Sequence, residues 1–470
     1  MKHFNDLDNM FVINFSQFSS ENRWDPEFFS PKYQENLKRI SWKKSEKLAD
    51  LVSFSNETWD QKSIFTDFFH YIEISSIDLS SGNISNTKCV KIDDAPSRAK
   101  MIVRNGDILV STTRPSRGAI SLYNNDEVKV ASTGFSIIRN LKEDSLSKEA
   151  LFCLLKMPFS LLQMKQRSSG GNYPAITQAE LGKIIIPIPS HEEQSQIVDL
   201  YQSVLALRNK KISQSDLMLN RLYDDVLNSL GIVLDDQNNS ISDRVFKRMF
   251  SDLVGRRFDP IYYNSDLEQF NKGKFTSIKL KTLIIEFSSG QGVGRQDQAS
   301  EEEGVLQIRP TNLGPQGSFV FEKNVFVPDE ARHKRLQKGD VIFNNTNSQE
   351  LVGKSAYWDI DLEATYSNHI TVLRVDETKI FPEYLALILN LYQKSNIFYS
   401  ICTNWNNQSG VGIDVLLDLN IPLPPLALQE EIISHIRQIR DEAKKLKDEA
   451  NLVLENAKQE IERIILGETE

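Results

Sequence analysis

Two stretches of the chain carry apolar residues at a spacing of seven. In the first, Val198, Leu205, Ile212, Leu219 and Val226 recur at every seventh position, with Tyr201 and Leu222 on the adjoining seam. In the second, Ile432, Ile436, Ile439, Ala443, Leu446, Ala450, Val453 and Ala457 alternate steps of four and three. A repeat sustained over four heptads predicts long helices that pair through a narrow seam. Each spans about 37 residues, or ~55 Å of helix. Gly231 and Gly467 stand where a left-handed residue commonly ends a helix. The alanine line permits close approach, and with both helices on one chain the expected pairing is intramolecular and antiparallel.

Ahead of each helix lie short apolar or alternating runs broken by Gly, Asn and Ser. In the first half these are Ile102-Val103, Asp107 to Val110, Phe135 to Ile138 and Ile184 to Ile188. In the second they are Val305 to Ile308, Val341 to Phe343 and Ile370 to Val375. They read as β-strands with connecting loops, accompanied by helices over Lys148 to Lys165 and near Pro382 to Tyr392. The expected fold class is α+β. Two tandem domains, residues 1–190 and 232–426, are joined by long helices at 191–231 and 427–470.

The two halves match in order. Arg23-Trp24-Asp25-Pro26-Glu27-Phe28-Phe29 returns as Arg257-Phe258-Asp259-Pro260-Ile261-Tyr262-Tyr263, 234 positions on. Asn105-Gly106-Asp107-Ile108-Leu109 returns as Lys338-Gly339-Asp340-Val341-Ile342, and Ser132 to Arg139 as Ser367 to Arg374. Ile186-Pro187-Ile188-Pro189 and Gln194 return as Ile421-Pro422-Leu423-Pro424 and Gln429. Collinear matches at a nearly constant offset of 233 to 235 identify a duplicated chain.

Composition narrows the class. The 470 residues include 55 Lys+Arg and 64 Asp+Glu, a formal net charge of −9. That excludes a general polybasic coat for nucleic acid, so any DNA contact needs a local basic patch. The three cysteines, Cys89, Cys153 and Cys402, are far apart with no C-x-x-C, which argues against a disulfide framework or zinc ribbon and fits a reducing cytoplasm. No stretch approaches the ~18 apolar residues of a membrane span, and the first residues lack the order of a signal peptide. A cytoplasmic location without membrane contact is expected.

Signals for catalysis are weak. Leu283 to Gly294 (LIIEFSSGQGVG) resembles the glycine-rich first motif of S-adenosylmethionine-dependent methyltransferases. Its first-half counterpart, Leu48 to Asn56, has no glycine, so a flexible surface loop is the better account. Asp25-Pro26 and Asp259-Pro260 lack the second proline of an amino-methyltransferase motif and read as a shared turn. The six histidines show no H-x-x-x-H, and no phosphate-binding loop occurs. No catalytic residue, metal ligand or cofactor site is assigned to this chain.

Taken together, Arg-Trp-Asp-Pro at 23–26, Arg-Phe-Asp-Pro at 257–260, Gly-Asp-Ile-Leu at 106–109, Gly-Asp-Val-Ile at 339–342, and the Ile-Pro-x-Pro elements leading to Gln194 and Gln429 resemble the specificity subunits of type I restriction–modification systems. The resemblance covers nearly the whole chain, apart from the lead Phe4 to Ser20 and the linker Asp235 to Asp243. It implies two target recognition domains, each reading half of a bipartite double-stranded DNA sequence. It further implies that the antiparallel coiled coil sets the spacer and docks two methyltransferase (modification) subunits carrying S-adenosylmethionine. ATP-dependent restriction subunits would then join.

Base edges are read by Arg at guanine and by Asn or Gln at adenine, while Lys and Arg hold phosphates. Polar loops after strand ends supply the candidates. In the first half these are Arg114, Arg117, Lys165, Arg167, Ser168, Asn172 and Tyr173. In the second they are Arg295, Gln296, Asn344, Asn345, Asn347, Gln349, Asn404, Asn406 and Asn407. The first set is rich in Arg and the second in amides, which suggests different half-sites. Apolar residues beside the seam, Leu207, Leu217, Ile433 and Leu454, either complete the coil or meet a partner. Two other readings stand beside this one: a duplicated coiled-coil scaffold without DNA, and a methyltransferase using Glu286 to Gly294. By segment, residues 1–190 carry a net +2, 191–230 a net −2, 231–426 a net −5 and 427–470 a net −4. Such a chain is expected to bind DNA poorly alone and to rely on partners.

Overall fold

A computed structural model describes residues 25–41, 43–59, 64–85, 87–234, 266–330, 332–405 and 408–467, with Glu21, Arg23, Lys247, Met249 and Phe250. The repeat copy Arg257 to Tyr263, the lead Phe4 to Ser20 and the linker Asp235 to Asp243 lie outside the described residues. Two compact units result, Met1–Ile212 with Lys447–Glu470, and Ser213–Leu446.

In the first unit, helix α1 (Pro31–Ser41) leads into β1 (Ser45–Lys47), the turn α2 (Leu48–Leu51) and β2 (Val52–Ser55). There follow β3 (Phe68–Ile72), β4 (Lys88–Lys91), β5 (Ala99–Val103), β6 (Asp107–Ser111), β7 (Ile120–Tyr123), β8 (Lys129–Ser132) and β9 (Phe135–Leu141). Helices α3 (Lys148–Lys156), α4 (Pro158–Arg167) and α5 (Gln178–Leu181), then β10 (Ile185–Pro187), complete the domain before α6 (His191–Leu230). One sheet has the order β2-β9-β6-β7 and another β4-β3-β8-β5. Strand β6 is buried at every position, with Ile108 and Val110 facing the core beneath α3 and α4 and Leu109 facing the opposite core with Ile137 and Val103. Burial on both faces explains why its sequence is a continuous apolar run rather than an alternation.

The second unit repeats this plan with β11 (Ser277–Lys279), β12 (Ile284–Ser289), β13 (Gly304–Ile308), β14 (Phe326–Pro328), β15 (Val341–Asn344), β16 (Thr346–Asn347), β17 (Ser355–Tyr357), β18 (Ala364–Tyr366) and β19 (Ile370–Val375). Helices α7 (Pro382–Lys394) and α8 (Ile397–Ile401), strands β20 (Thr403–Trp405) and β21 (Gln408–Gly410), helix α9 (Ile413–Leu417) and β22 (Asn420–Pro422) precede α10 (Leu426–Leu466). The main sheet, β12-β19-β15-β17, has the order of its first-unit counterpart. Val341 and Phe343 of β15 face one core and Ile342 the other.

The expected helix over Lys148 to Lys165 is two helices. Pro158 cannot donate a backbone hydrogen bond and disfavours helical geometry for Met157, which is extended at φ −73°, ψ 150°. Each Ile-Pro element forms a short antiparallel pair, β10 with β1 and β22 with β11.

The long helices contain 40 and 41 residues, and Gly231 and Gly467 follow them with φ of +63° and +64°. They pack antiparallel within each unit. In the first, Lys211 donates to Glu449 at 2.6 Å, and Ile197 and Tyr201 share a core with Leu454, Ile461 and Ile465. In the second, the Ser215 hydroxyl donates to the Ala443 carbonyl at 2.8 Å, and Leu222 and Val226 share a core with Ile432 and Ile436. Ala443, Ala450 and Ala457 are buried as the alanine line requires, with Ile439, Leu446 and Val453 half-buried beside them. On α6 the deepest line is Tyr201, Ser215 and Leu222, joined by Val226 at the end of the predicted line, while Val198, Leu205, Ile212 and Leu219 lie half-buried along its edge. The seam therefore centres beside the predicted one, because a small serine facing an alanine seats more deeply than a branched aliphatic. Of the four flanking apolar residues, Ile433 and Leu454 belong to the cores, whereas Leu207 and Leu217 are exposed.

Candidate nucleic-acid interface

The duplicated Gly-Asp motif is a structural anchor. Gly106 and Gly339 turn with φ of +82° and +100°, a conformation that favours glycine. The following carboxylates, Asp107 and Asp340, are almost fully buried. Asp107 accepts the Arg104 amide at 2.8 Å and pairs with Arg139 through contacts of 3.0 and 2.9 Å. Asp340 accepts the Gln337 amide at 2.8 Å and pairs with Arg374 at 2.7 Å. Each arginine also binds a second carboxylate, Glu57 in the first unit and Glu286 in the second. The guanidinium of Arg104, and after it that of Arg139, hold the Glu57 carboxyl down at about 2. Glu286, considered in sequence as part of a cofactor loop, thus serves the arginine of this anchor.

The duplicated glutamine has an equally specific place. Gln194 accepts the Ser147 amide at 2.9 Å and donates to the carbonyls of Ser145 and Pro189. Gln429 accepts the Phe381 amide at 3.0 Å and donates to the carbonyls of Lys379 and Pro424. Each buried amide ties the first turn of a long helix to the domain that precedes it.

On this shared frame the two loops chosen in each half come together. In the first unit the Arg114 amide donates to Pro174 at 2.7 Å, Ile176 donates to Thr112 at 2.8 Å, and Ser169 and Ala175 exchange bonds of 2.9 and 2.8 Å. The result is a three-segment ribbon with Thr113 and Ser169 both opposite Ala175. In the second unit β16 and β20 flank β21, with Thr346 and Thr403 both opposite Gly410. Val411 donates to Asn345 at 2.9 Å, the counterpart of Ile176 to Thr112. The base of each ribbon is fixed alike: Thr112 donates to the Gly134 carbonyl at 2.8 Å and Asn345 to that of His369 at 3.0 Å.

The individual side chains divide sharply. Arg117, Lys165, Asn172 and Tyr173 are exposed and Arg114 half-buried. Arg114 stacks 4.2 Å from the Tyr173 ring centroid and donates to the Asn172 carbonyl at 2.8 Å. Ser168 caps its own helix by donating to Met164. Lys165 and Ser116 line a cleft of about 210 Å³ that also has Asp25, Glu27 and Gly171 on its walls. Arg167 does not belong to this surface: α4 continues through it and turns it inward, where it is buried against Glu21 and Glu180 at 3.1 Å each.

In the second unit Arg295, Gln296 and Asn404 are exposed, while Asn345, Asn347 and Gln349 are half-buried. The Asn345 amide donates to Thr371 at 2.8 Å, Asn347 accepts the Ser348 amide, and Gln349 donates to the Tyr399 carbonyl. Asn404 accepts from the Ser409 hydroxyl at 2.7 Å. Asn344 is the last residue of buried β15 and has no exposure, so it is removed from any surface. Asn406 and Asn407 lie outside the described residues. Arg295 and Gln296 follow the Gly290 to Gly294 loop, which packs on the segment 366–370 that also contacts Asn345. A Cβ on Gly290 would stand 2.1 Å from the Tyr366 carbonyl oxygen, so this glycine serves close backbone approach.

Sequence reasoning overlooked two exposed groups. Trp405 is 53% exposed and lays its ring over Gly410; an aromatic among amides opposite a glycine was the available signal. Arg98, whose side chain is exposed, accepts the Thr133 amide at its backbone carbonyl at 2.8 Å beside the base of the first ribbon, a proximity no local pattern encodes. Among the described residues no group of His, Cys, Asp and Glu is arranged to hold a metal ion, and no helix is long and apolar enough to cross a membrane.

Comparison with known proteins matches both halves. The model of the type I restriction modification DNA specificity domain covers residues 40–215 and 320–456. The putative type I restriction enzyme MjaX specificity subunit of Methanocaldococcus jannaschii is 37% identical over 99 residues, 21% of this chain and 23% of that protein. The HindI specificity subunit of Haemophilus influenzae is 30% identical over 130 residues, spanning 28% of its length. The MjaVIII specificity subunit of M. jannaschii is 24% identical over 391 residues, covering 81% of this chain and 82% of the relative. The matches of higher identity thus span about a quarter of the relatives' length, and the extended match about four fifths. A chain from a structural study of complex assembly and conformational transition of the type I R-M system shares the fold, with a TM-score of 0.50 and 20% identity over 90% of this chain and 96% of that one. With the specificity domain matched in each half, the chain belongs to the family of type I restriction–modification DNA specificity subunits.

Proposed function

We propose that this chain directs a type I restriction–modification complex to DNA, each unit reading one half of a bipartite sequence through its ribbon. One observation carries the reading: two loops chosen independently for their chemistry are hydrogen-bonded into the same ribbon at the same positions in both units, yet present different side chains. A common frame with exchanged tips suits two unequal half-sites, which identical subunits could not read. The antiparallel helices α6 and α10 set the spacer and dock two modification subunits, with exposed Leu207, Leu217 and Leu452 as apolar contacts. S-adenosylmethionine and ATP belong to the modification and restriction subunits. This chain supplies sequence choice rather than catalysis, in the cytoplasm.

The test is methylome sequencing of a host expressing this chain with modification subunits. A split methylated motif is expected, and exchanging residues 20–190 for those of a relative changes one half of it. Absence of bipartite methylation, or a swap that alters both halves, refutes the proposal.

A further inference from the structure

Among the basic residues of the first ribbon, one, half-buried, is held as a base reader would be. Arg114 has φ +49°, ψ +50°, a left-handed conformation uncommon for a non-glycine residue and costly for a side chain without a short polar group. The fold maintains it from several sides. The Arg114 amide is tied to Pro174 at 2.7 Å, its Nη2 donates to the Asn172 carbonyl at 2.8 Å, and its guanidinium lies 4.2 Å from the ring centroid of Tyr173. Tyr173 is itself 70% exposed, so the stacked pair stands at the surface rather than in a core. Among the described residues the guanidinium forms no ion pair. One hydrogen bond to Asn172 leaves most of its five N–H donors for a ligand.

These features separate Arg114 from its neighbours. Arg167 is neutralised by two carboxylates. Arg117 and Lys165 are exposed cations suited to phosphates, which need charge but little geometry. A stacked arginine fixed at both backbone and guanidinium has already lost the freedom that binding would otherwise remove. Its planar fork matches the O6 and N7 acceptors of guanine in the major groove. The equivalent position of the second ribbon, 233 residues on, carries Asn347, whose amide fits adenine instead.

Resting on the proposed function above, we infer that Arg114 determines one guanine of the half-site read by the first unit, through a bidentate contact. Arg117 and Lys165 act on the neighbouring phosphates.

The experiment uses the full complex of this chain with its modification subunits and duplexes carrying the methylated motif. Each guanine in turn is replaced by 7-deazaguanine, which keeps base pairing but removes N7. One such replacement, in one half-site, is expected to weaken binding of the unaltered complex about tenfold or more. It has no effect on complexes with Arg114→Gly, which tolerates the left-handed backbone, or with Arg114→Lys, which keeps the charge but not the fork. Both variants relax the motif at that single base and leave the other half unchanged. Arg117→Ala and Lys165→Ala weaken all sequences alike and flatten the salt dependence. Uniform weakening by Arg114→Gly, with every guanine of both half-sites as tolerant as before, overturns the inference while leaving the proposed function intact. Lack of any sequence preference in the unaltered complex overturns both.

Discussion

The two units keep the same residues at their buried polar anchors and exchange them at the ribbon tips. Asp107 with Arg139 and Asp340 with Arg374 occupy matching sites, as do Gln194 and Gln429 with their three hydrogen bonds each. At the ribbon, by contrast, Arg114 stands where the second unit has Asn347. Position 156 lies between these extremes. The buried Lys156 ammonium, pushed down to about 7 by burial, donates to the carbonyls of Leu79 and Gly118, whereas Asn390 at the equivalent position holds Ser355 through both its amide atoms. The lesson is that a buried polar group is retained for the bonds it completes, and a different residue is tolerated only if it completes equivalent ones.

Breaking the anchors tests that contrast most strongly. Asp107→Ala removes a buried carboxylate, leaves Arg139 with Glu57 as its remaining carboxylate and the Arg104 amide without its acceptor, and is expected to destabilise the first unit by about 3 kcal/mol, with Asp340→Ala doing the same to the second. Hydrogen exchange read on peptides from each unit checks both, and equal loss of protection in the two units after either change contradicts independent anchors. Gln194→Ala or Gln429→Ala leaves buried carbonyls and an amide without partners, at about 2 kcal/mol. Faster exchange at the first turn of α6 or α10, measured in the same way, is the expected sign.

A smaller asymmetry follows from Gly290. Gly290→Ala forces a Cβ against the Tyr366 carbonyl and should cost about 1–2 kcal/mol in the second unit alone, seen as a lower urea midpoint for that unit. The least effect is electrostatic. The folded state lowers the Glu57 carboxyl from 4.5 to about 2. Its contribution is therefore present above about pH 4.5 and disappears as pH falls through about 2. With the side chain 34% exposed, screening limits it to under about 1 kcal/mol. Glu57→Gln should flatten the acid limb of a pH–stability profile monitored on first-unit peptides; an unchanged limb breaks the comparison between the anchors.

Much of this architecture can be read from the chain because its largest signals are periodic or repeated. The heptads mark α6 and α10, and the collinear motifs mark two similar units. Pairings over long separations escaped that reading. Asp107 looks like a turn residue until Arg139, on a distant strand, is brought to it. Asn344 and Arg167 have the composition of surface loops, but the strand continues one residue and the helix two residues further than polarity suggests, and both side chains turn inward. On α6 the seam centres on the adjoining line of Tyr201 and Leu222, and its middle member, Ser215, carries no apolar signature although its hydroxyl lies against Ala443. The ribbons were legible as chemistry, since amides and basic residues cluster after strand ends. Their joining at Ala175 and Gly410 is a tertiary event that neither loop announces.

The division of the long helices between the units has a consequence for how the chain is made. The second unit is one continuous stretch, Ser213–Leu446, whereas the first needs Lys447 onward to cover Ile197 and Tyr201. During synthesis from the N-terminus, the unit begun first is finished last, and the apolar face of α6 within it waits for the final turns of α10. A ribosome that stops between Leu446 and Leu454 therefore releases a chain whose second half can close and whose first half still exposes its core.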